Sequence, residues 1–210
     1  MIILRAKDVD FQVTYIDLTD KPNWFLEISP HGKVPVLVVD EQPLFESNAI
    51  AEFLDEAVTP RLHPEDLLKR ARNRAWSDYI VDFAKALSGV YLVGSEQDVA
   101  AGIEKACGPL SKLEKALDEE RNNNGPYFNG DSLCLVDAAY APFFMRFGRV
   151  EEKLQTGLLD EFPLVKAWSA ALLNSEAVKG SVAPNFGEKF IQLLYRRESF
   201  AAPLMAGEAA

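Results

Sequence analysis

The spacing of apolar residues changes once along this chain, and that change limits its architecture more than any single residue does. Up to Ala57 the pattern mixes strand and helix. Beyond Pro64 every apolar series repeats at three and four residues, the period of helices that bury one face. Residues 58–64 hold two prolines and no period, so they read as a linker. The expected division is residues 1–57, a linker at 58–64 and an all-helical part over 65–210. An α/β unit followed by an all-α unit is the fold class this predicts.

Within the first part, Phe11–Leu18 alternates apolar and polar residues and is rich in β-branched and aromatic types, which predicts a strand. Pro22 opens a short helix over Asn23–Ile28, and Ser29-Pro30-His31-Gly32 stops it. Val34–Val39 is a nearly unbroken apolar run, the pattern of a strand covered on both faces. Asp40–Pro43 suits a turn, Leu44-Phe45 a brief edge strand, and Ser47 the N-cap of a helix reaching Ala57. In the second part, Leu68, Trp76, Tyr79, Phe83 and Leu87 predict one long helix. Ile103, Ala106, Leu110, Leu113 and Leu117 predict another, ended by Asn122–Pro126. Ala138–Phe147, the surroundings of Val165, Trp168 and Leu172, and Phe186–Arg197 supply three more. Weak patterning over Ala201–Ala210 predicts a frayed tail.

Composition removes whole classes of function. The 210 residues are 48% hydrophobic and 26% charged, as in a packed globular protein. A net charge of −10 argues against a general nucleic-acid binder, which needs clustered Lys and Arg. It leaves room for a small anionic ligand held by a few local donors. No apolar run is long enough for a membrane span, and the start has no signal-peptide pattern. Two cysteines, Cys107 and Cys134, make a disulfide framework improbable, so a reducing, cytoplasmic setting is expected. No metal, nucleic acid or membrane partner is expected.

Two motifs point to a family. Trp24-Phe-Leu-Glu-Ile-Ser-Pro-His-Gly-Lys-Val-Pro-Val-Leu37, followed by Phe45-Glu-Ser-Asn-Ala-Ile-Ala-Glu-Phe-Leu-Asp55, resembles the glutathione-binding half of the cytosolic glutathione transferases, closest to their omega, lambda and dehydroascorbate-reductase members. Tyr127-Phe-Asn-Gly-Asp-Ser-Leu-Cys-Leu-Val-Asp-Ala-Ala-Tyr-Ala-Pro142 resembles the sixth-helix signature of the same superfamily. The resemblance implies a truncated thioredoxin-like N-terminal domain, a glutathione-transferase-type helical C-terminal domain, and a homodimer.

It also implies a site. Pro35 is implied to be cis, turning the Val34 backbone towards the peptide ligand; the plainer reading is a proline at the start of an edge strand. Glutathione carries two carboxylates and an amine. Ser47 and the helix N–H groups behind it suit a carboxylate, and Glu46 suits the amine beside it; the plainer reading is helix capping with an exposed acid. Lys33 is a candidate for the glycine carboxylate or simply an exposed lysine. His31 reads as a solvent-facing loop residue. A lysine that omega-like relatives carry on the short helix is Glu27 here. The expected binding set is therefore Lys33, Val34, Pro35, Glu46 and Ser47, with glutathione as cosubstrate.

Relatives begin with a strand, a loop bearing Cys, Ser or Tyr, and a helix. Met1–Asp10 matches only the end of that helix, so the resemblance implies a missing central strand and an unassigned nucleophile, with a start codon placed too late or an artificially shortened chain as the expected cause. The expected function is glutathione-dependent conjugation, or thiol transfer and reduction, on small hydrophobic electrophiles or disulfides. The alternative is a non-catalytic assembly or regulatory module of the same fold. Trp76, Tyr79 and Phe83 are either walls of a second-substrate pocket or plain core. Where relatives cap the sixth helix with Ser or Thr this chain has Cys134, so Ser132, Asp131 or Asp137 is expected to cap it, with Cys134 a small buried hydrophobe rather than a redox residue.

Overall fold

A computed structural model of the chain describes residues 1–121 and 123–208; Asn122 and the last two residues of the tail lie outside it. The N-terminal part runs α1 (Ile2–Ala6), α2 (Asn23–Ile28), β1 (Val36–Val39), β2 (Gln42–Phe45) and α3 (Ser47–Ala57). β1 and β2 form an antiparallel hairpin in the register Val36↔Phe45 to Val39↔Gln42. Its two-residue turn puts both Asp40 and Glu41 at positive φ, as a primed hairpin turn requires.

Two expectations fail here. Phe11–Leu18 belongs to no strand, because among the described residues no segment lies alongside to complete a ladder. β1 is not covered on both faces: Val38 is 51% exposed, since a two-stranded sheet has little to lie against. The core of this part is small, with Leu4, Ile50 and Leu54 at its centre and Phe11, Leu37 and Leu44 around them.

The helical part comprises α4 (Leu67–Asp78), α5 (Ile80–Tyr91), α6 (Glu96–Lys115), α7 (Leu135–Leu154), α8 (Pro163–Asn174), α9 (Glu176–Lys179) and α10 (Phe186–Arg196). α6 passes into a π-turn at Ala116–Glu120. The long helix expected through Leu68 and Leu87 is two, broken at Tyr79. The Tyr140 hydroxyl donates to the Trp76 carbonyl at 2.9 Å and so occupies an acceptor near the break. α5 and α6 lie close because Gly102 is bare: a Cβ there would stand 2.4 Å from the Gly89 carbonyl oxygen.

Phe83, Tyr140, Phe144 and Trp168 pack ring to ring at 4.9–5.5 Å in a fully buried cluster. The tail is not frayed where it is described, because Ala201, Ala202 and Met205 are buried in this core. Asp137 lies at the centre, fully buried, and accepts from the Cys134 amide at 2.7 Å, the Phe128 amide at 3.0 Å and the Trp168 indole N–H at 2.6 Å. Of the caps considered for α7, Asp137 is therefore the one that acts, in a capping box with Cys134 at the N-cap position. Burial pushes the Asp137 carboxyl up in spite of these donors.

The linker is bolted from both sides. Lys7, the buried C-cap of α1, is 3.1 Å from Asp55 and donates to the Val58 and Pro60 carbonyls, both at 2.6 Å. Asp55 also accepts from the Leu62 and His63 amides.

Candidate functional site

Three short segments converge on one side of the hairpin. Ser29 is buried and staples the loop after α2: its hydroxyl donates to the Lys33 carbonyl and accepts the Lys33 N–H, both at 3.0 Å. Gly32 takes φ +57, a left-handed turn that glycine adopts without strain. The chain then passes Val34 and Pro35, joined by a cis peptide bond, into β1. β2 returns it to Phe45, and Glu46 leads into α3.

A pocket of about 60 Å³ lies where these segments meet. Ser29, His31, Lys33, Val34, Pro35, Phe45, Glu46 and Ser47 line it. All five residues of the expected set are therefore brought together. His31 joins them, its ring edge-on to Phe45 at 5.5 Å between centroids. Ser29 and Phe45 were missed as lining residues. Ser29 could have been found as the serine of the Ser-Pro helix stop; Phe45 carried no signal beyond its strand.

Val34 is 48% exposed and precedes the ladder, so nothing among the described residues pairs with its N–H and C=O. A peptide ligand can take both. Ser47 is not the N-cap. Glu46 is, at φ +66 and ψ 120, with its carbonyl accepting the Ile50 N–H at 3.0 Å. The helix thus begins one residue earlier than its serine suggests, and Ser47 opens the first turn. The free N–H groups of that turn suit an anion, with the Glu46 carboxylate alongside for a cation.

Neither cysteine lines the pocket. Cys134 is buried, and burial first, then the adjacent Asp137 charge, pushes its thiol well up, away from thiolate chemistry. Cys107 is half-buried, its thiol donating to the Ile103 carbonyl at 3.3 Å. Of the aromatic stripe on α4 and α5, Phe83 is core, while Trp76 and Tyr79 are half-buried, with Lys112 above the Tyr79 ring at 5.3 Å. A broader groove of about 520 Å³ is lined by Met1, Arg5, Phe11, Tyr15, Val182 and others, and shares no residue with the pocket. No group of three or more metal-ligating side chains occurs among the described residues, and no described helix is long and apolar enough to cross a membrane.

Residues 1–57 match the family model of the glutathione S-transferase N-terminal domain, and residues 62–176 that of the C-terminal domain. The chain belongs to the glutathione S-transferases. Among relatives, glutathione S-transferase omega-1 of Sus scrofa is 31% identical over 85% of this chain and 72% of its own. A probable glutathione S-transferase of Glycine max is 31% identical over 96% and 89%. Among solved structures, a rice glutathione transferase in complex with glutathione superposes with a TM-score of 0.77 at 25% identity, over 94% of this chain and 89% of that one. The omega 3C glutathione transferase of Trametes versicolor gives 0.72 at 26% identity, over 84% and 79%. The fold is thus the thioredoxin-like and all-helical pair of this family, with its N-terminal sheet reduced here to one hairpin.

Proposed function

We propose that this glutathione S-transferase binds glutathione as cosubstrate through Lys33, Val34, Pro35, Glu46 and Ser47. The observation that carries the reading is the meeting, in one pocket, of an unpaired backbone N–H and C=O with a helix N-terminus and an acid. In this reading Val34 pairs with the ligand's peptide backbone. The first turn of α3 and Ser47 take the γ-glutamyl carboxylate, Glu46 its amine, and Lys33 the glycine carboxylate. The chemistry is conjugation, or thiol transfer and reduction, on small hydrophobic electrophiles or disulfides, in the manner of an omega-like or dehydroascorbate-reducing enzyme. The reacting group is unassigned. A homodimer and a cytoplasmic setting go with the same proposal, the latter supported by two unpaired cysteines. So does the division into a glutathione-binding domain at 1–57, a linker at 58–64 and a helical domain at 65–210.

One observation favours the non-catalytic alternative: no cysteine or tyrosine lines the pocket. Calorimetric titration with glutathione separates the readings. Uptake by the unmutated chain, weakened about tenfold or more by Glu46→Ala, is expected. Absence of uptake would overturn the proposal and leave the assembly-module reading.

A further inference from the structure

α3 carries a polar stripe turned towards the linker and the helical half. Asn48, Glu52 and Asp55 recur at four and three residues, so they share one edge of the helix, while Ile50 and Leu54 face the small core. Each member of the stripe is bonded to the linker or to the helical half. Asn48 Nδ2 donates to Asp78 Oδ1 at 3.0 Å. Glu52 accepts from Arg74 Nε at 3.0 Å and Nη2 at 2.6 Å, and pairs with His63 Nε2 at 2.8 Å. Asp55 holds the Leu62 and His63 amides. Asn48 and Glu52 are one turn apart on α3, and Asp78 and Arg74 are one turn apart on α4. The two bonds are therefore rungs of one antiparallel ladder.

The position of the first rung suggests its purpose. Glu46 is a non-glycine residue at positive φ, a conformation that persists only where its surroundings enforce it. On one side the hairpin does so, through Phe45 paired with Val36. On the other, Asn48 is the first side chain tied outside the domain. Asp78 ends α4, where the helix dipole disfavours an acid, so α4's own stability does not account for it.

We propose that Asp78 and Arg74 of the helical half are positioning residues for the glutathione site, acting through Asn48 and Glu52 to hold Glu46 and Ser47 in place. The proposal rests on the glutathione reading above. It makes ligand affinity in one half depend on side chains of the other that touch no ligand.

A double-mutant cycle tests it, with glutathione affinity measured by calorimetry and amide exchange followed over residues 46–50. Asn48→Ala and Asp78→Ala are each expected to weaken glutathione binding about three- to fivefold, and the double variant no further, because one bond is lost in all three. Asp78→Asn keeps an acceptor and is expected to bind like the unmutated chain, with Arg74→Ala weakening binding in the same sense as Asp78→Ala. In the unliganded Ala variants the Ile50 amide, which bonds the Glu46 carbonyl, exchanges faster at an unchanged global unfolding midpoint. Unaltered affinity and exchange in the single variants, or effects that add in the double, overturn the proposal. A chain that takes up no glutathione overturns the underlying reading and this role together, a result that wild-type titration alone identifies.

Discussion

The two halves of this molecule bury their apolar surface to different extents. The helical half closes on aromatic rings packed edge-on and tilted around a buried carboxylate whose donors are all in place. The N-terminal half has a three-residue centre, a strand-patterned segment without a ladder, and a hairpin with exposed valine. The candidate site lies wholly on the thinner half. Binding elements are drawn from the less stable parts of a fold, and here the thin half is tied to the thick one by polar bonds from α3 as well as by Ile2, which is buried in the helical core.

The largest test of this contrast is Asp137→Ala. It leaves two amides and an indole N–H buried without an acceptor, and a loss of about 3 kcal/mol or more is expected in urea unfolding. Lys7→Met comes next. It strands the Asp55 carboxylate and frees two linker carbonyls, for an expected loss of about 3 kcal/mol. If Lys7→Met left stability untouched, the polar fastening of the linker to the thin half would be ornamental.

Leu54→Ala is expected to cost about 2 kcal/mol, and Leu87→Ala about 3 kcal/mol, because the Leu54 site is shallower and collapses more easily. Equal losses would remove the distinction between the cores. The smallest effect is one of pH. Arg74 first, then His63, holds the Glu52 carboxyl down to about 2 against an ordinary 4.5. The stabilisation is complete above that ordinary value and fades as pH falls towards 2, because the unfolded chain then binds the proton more readily. Acid unfolding of Glu52→Gln compared with the unmutated chain should show a difference that narrows through this window.

Much of the fold was legible because local pattern and tertiary need agree. The bounds of α2 and α3 follow from proline and apolar spacing, and the Val-Pro and Glu-Ser pairs singled out in the sequence line one candidate pocket. Phe11–Leu18 misled because alternation describes what a strand could bury, not whether a neighbour exists to pair with it. Ser47 misled because a good capping residue says nothing of the backbone angles one residue earlier. Tyr79 was invisible as a break, since the hydroxyl beside it comes from Tyr140, 61 residues downstream in the chain.

By itself, then, the sequence determined the family, the order of the two halves and the residue types available to a peptide ligand, because these depend on composition and short-range period. Only the tertiary structure decided that the loop before β1 and the start of α3 share one pocket, that Glu46 carries the positive φ, and that α3 is tied to α4 by Asn48–Asp78 and Glu52–Arg74. Those features rest on contacts between residues far apart in the chain, and no local propensity encodes them.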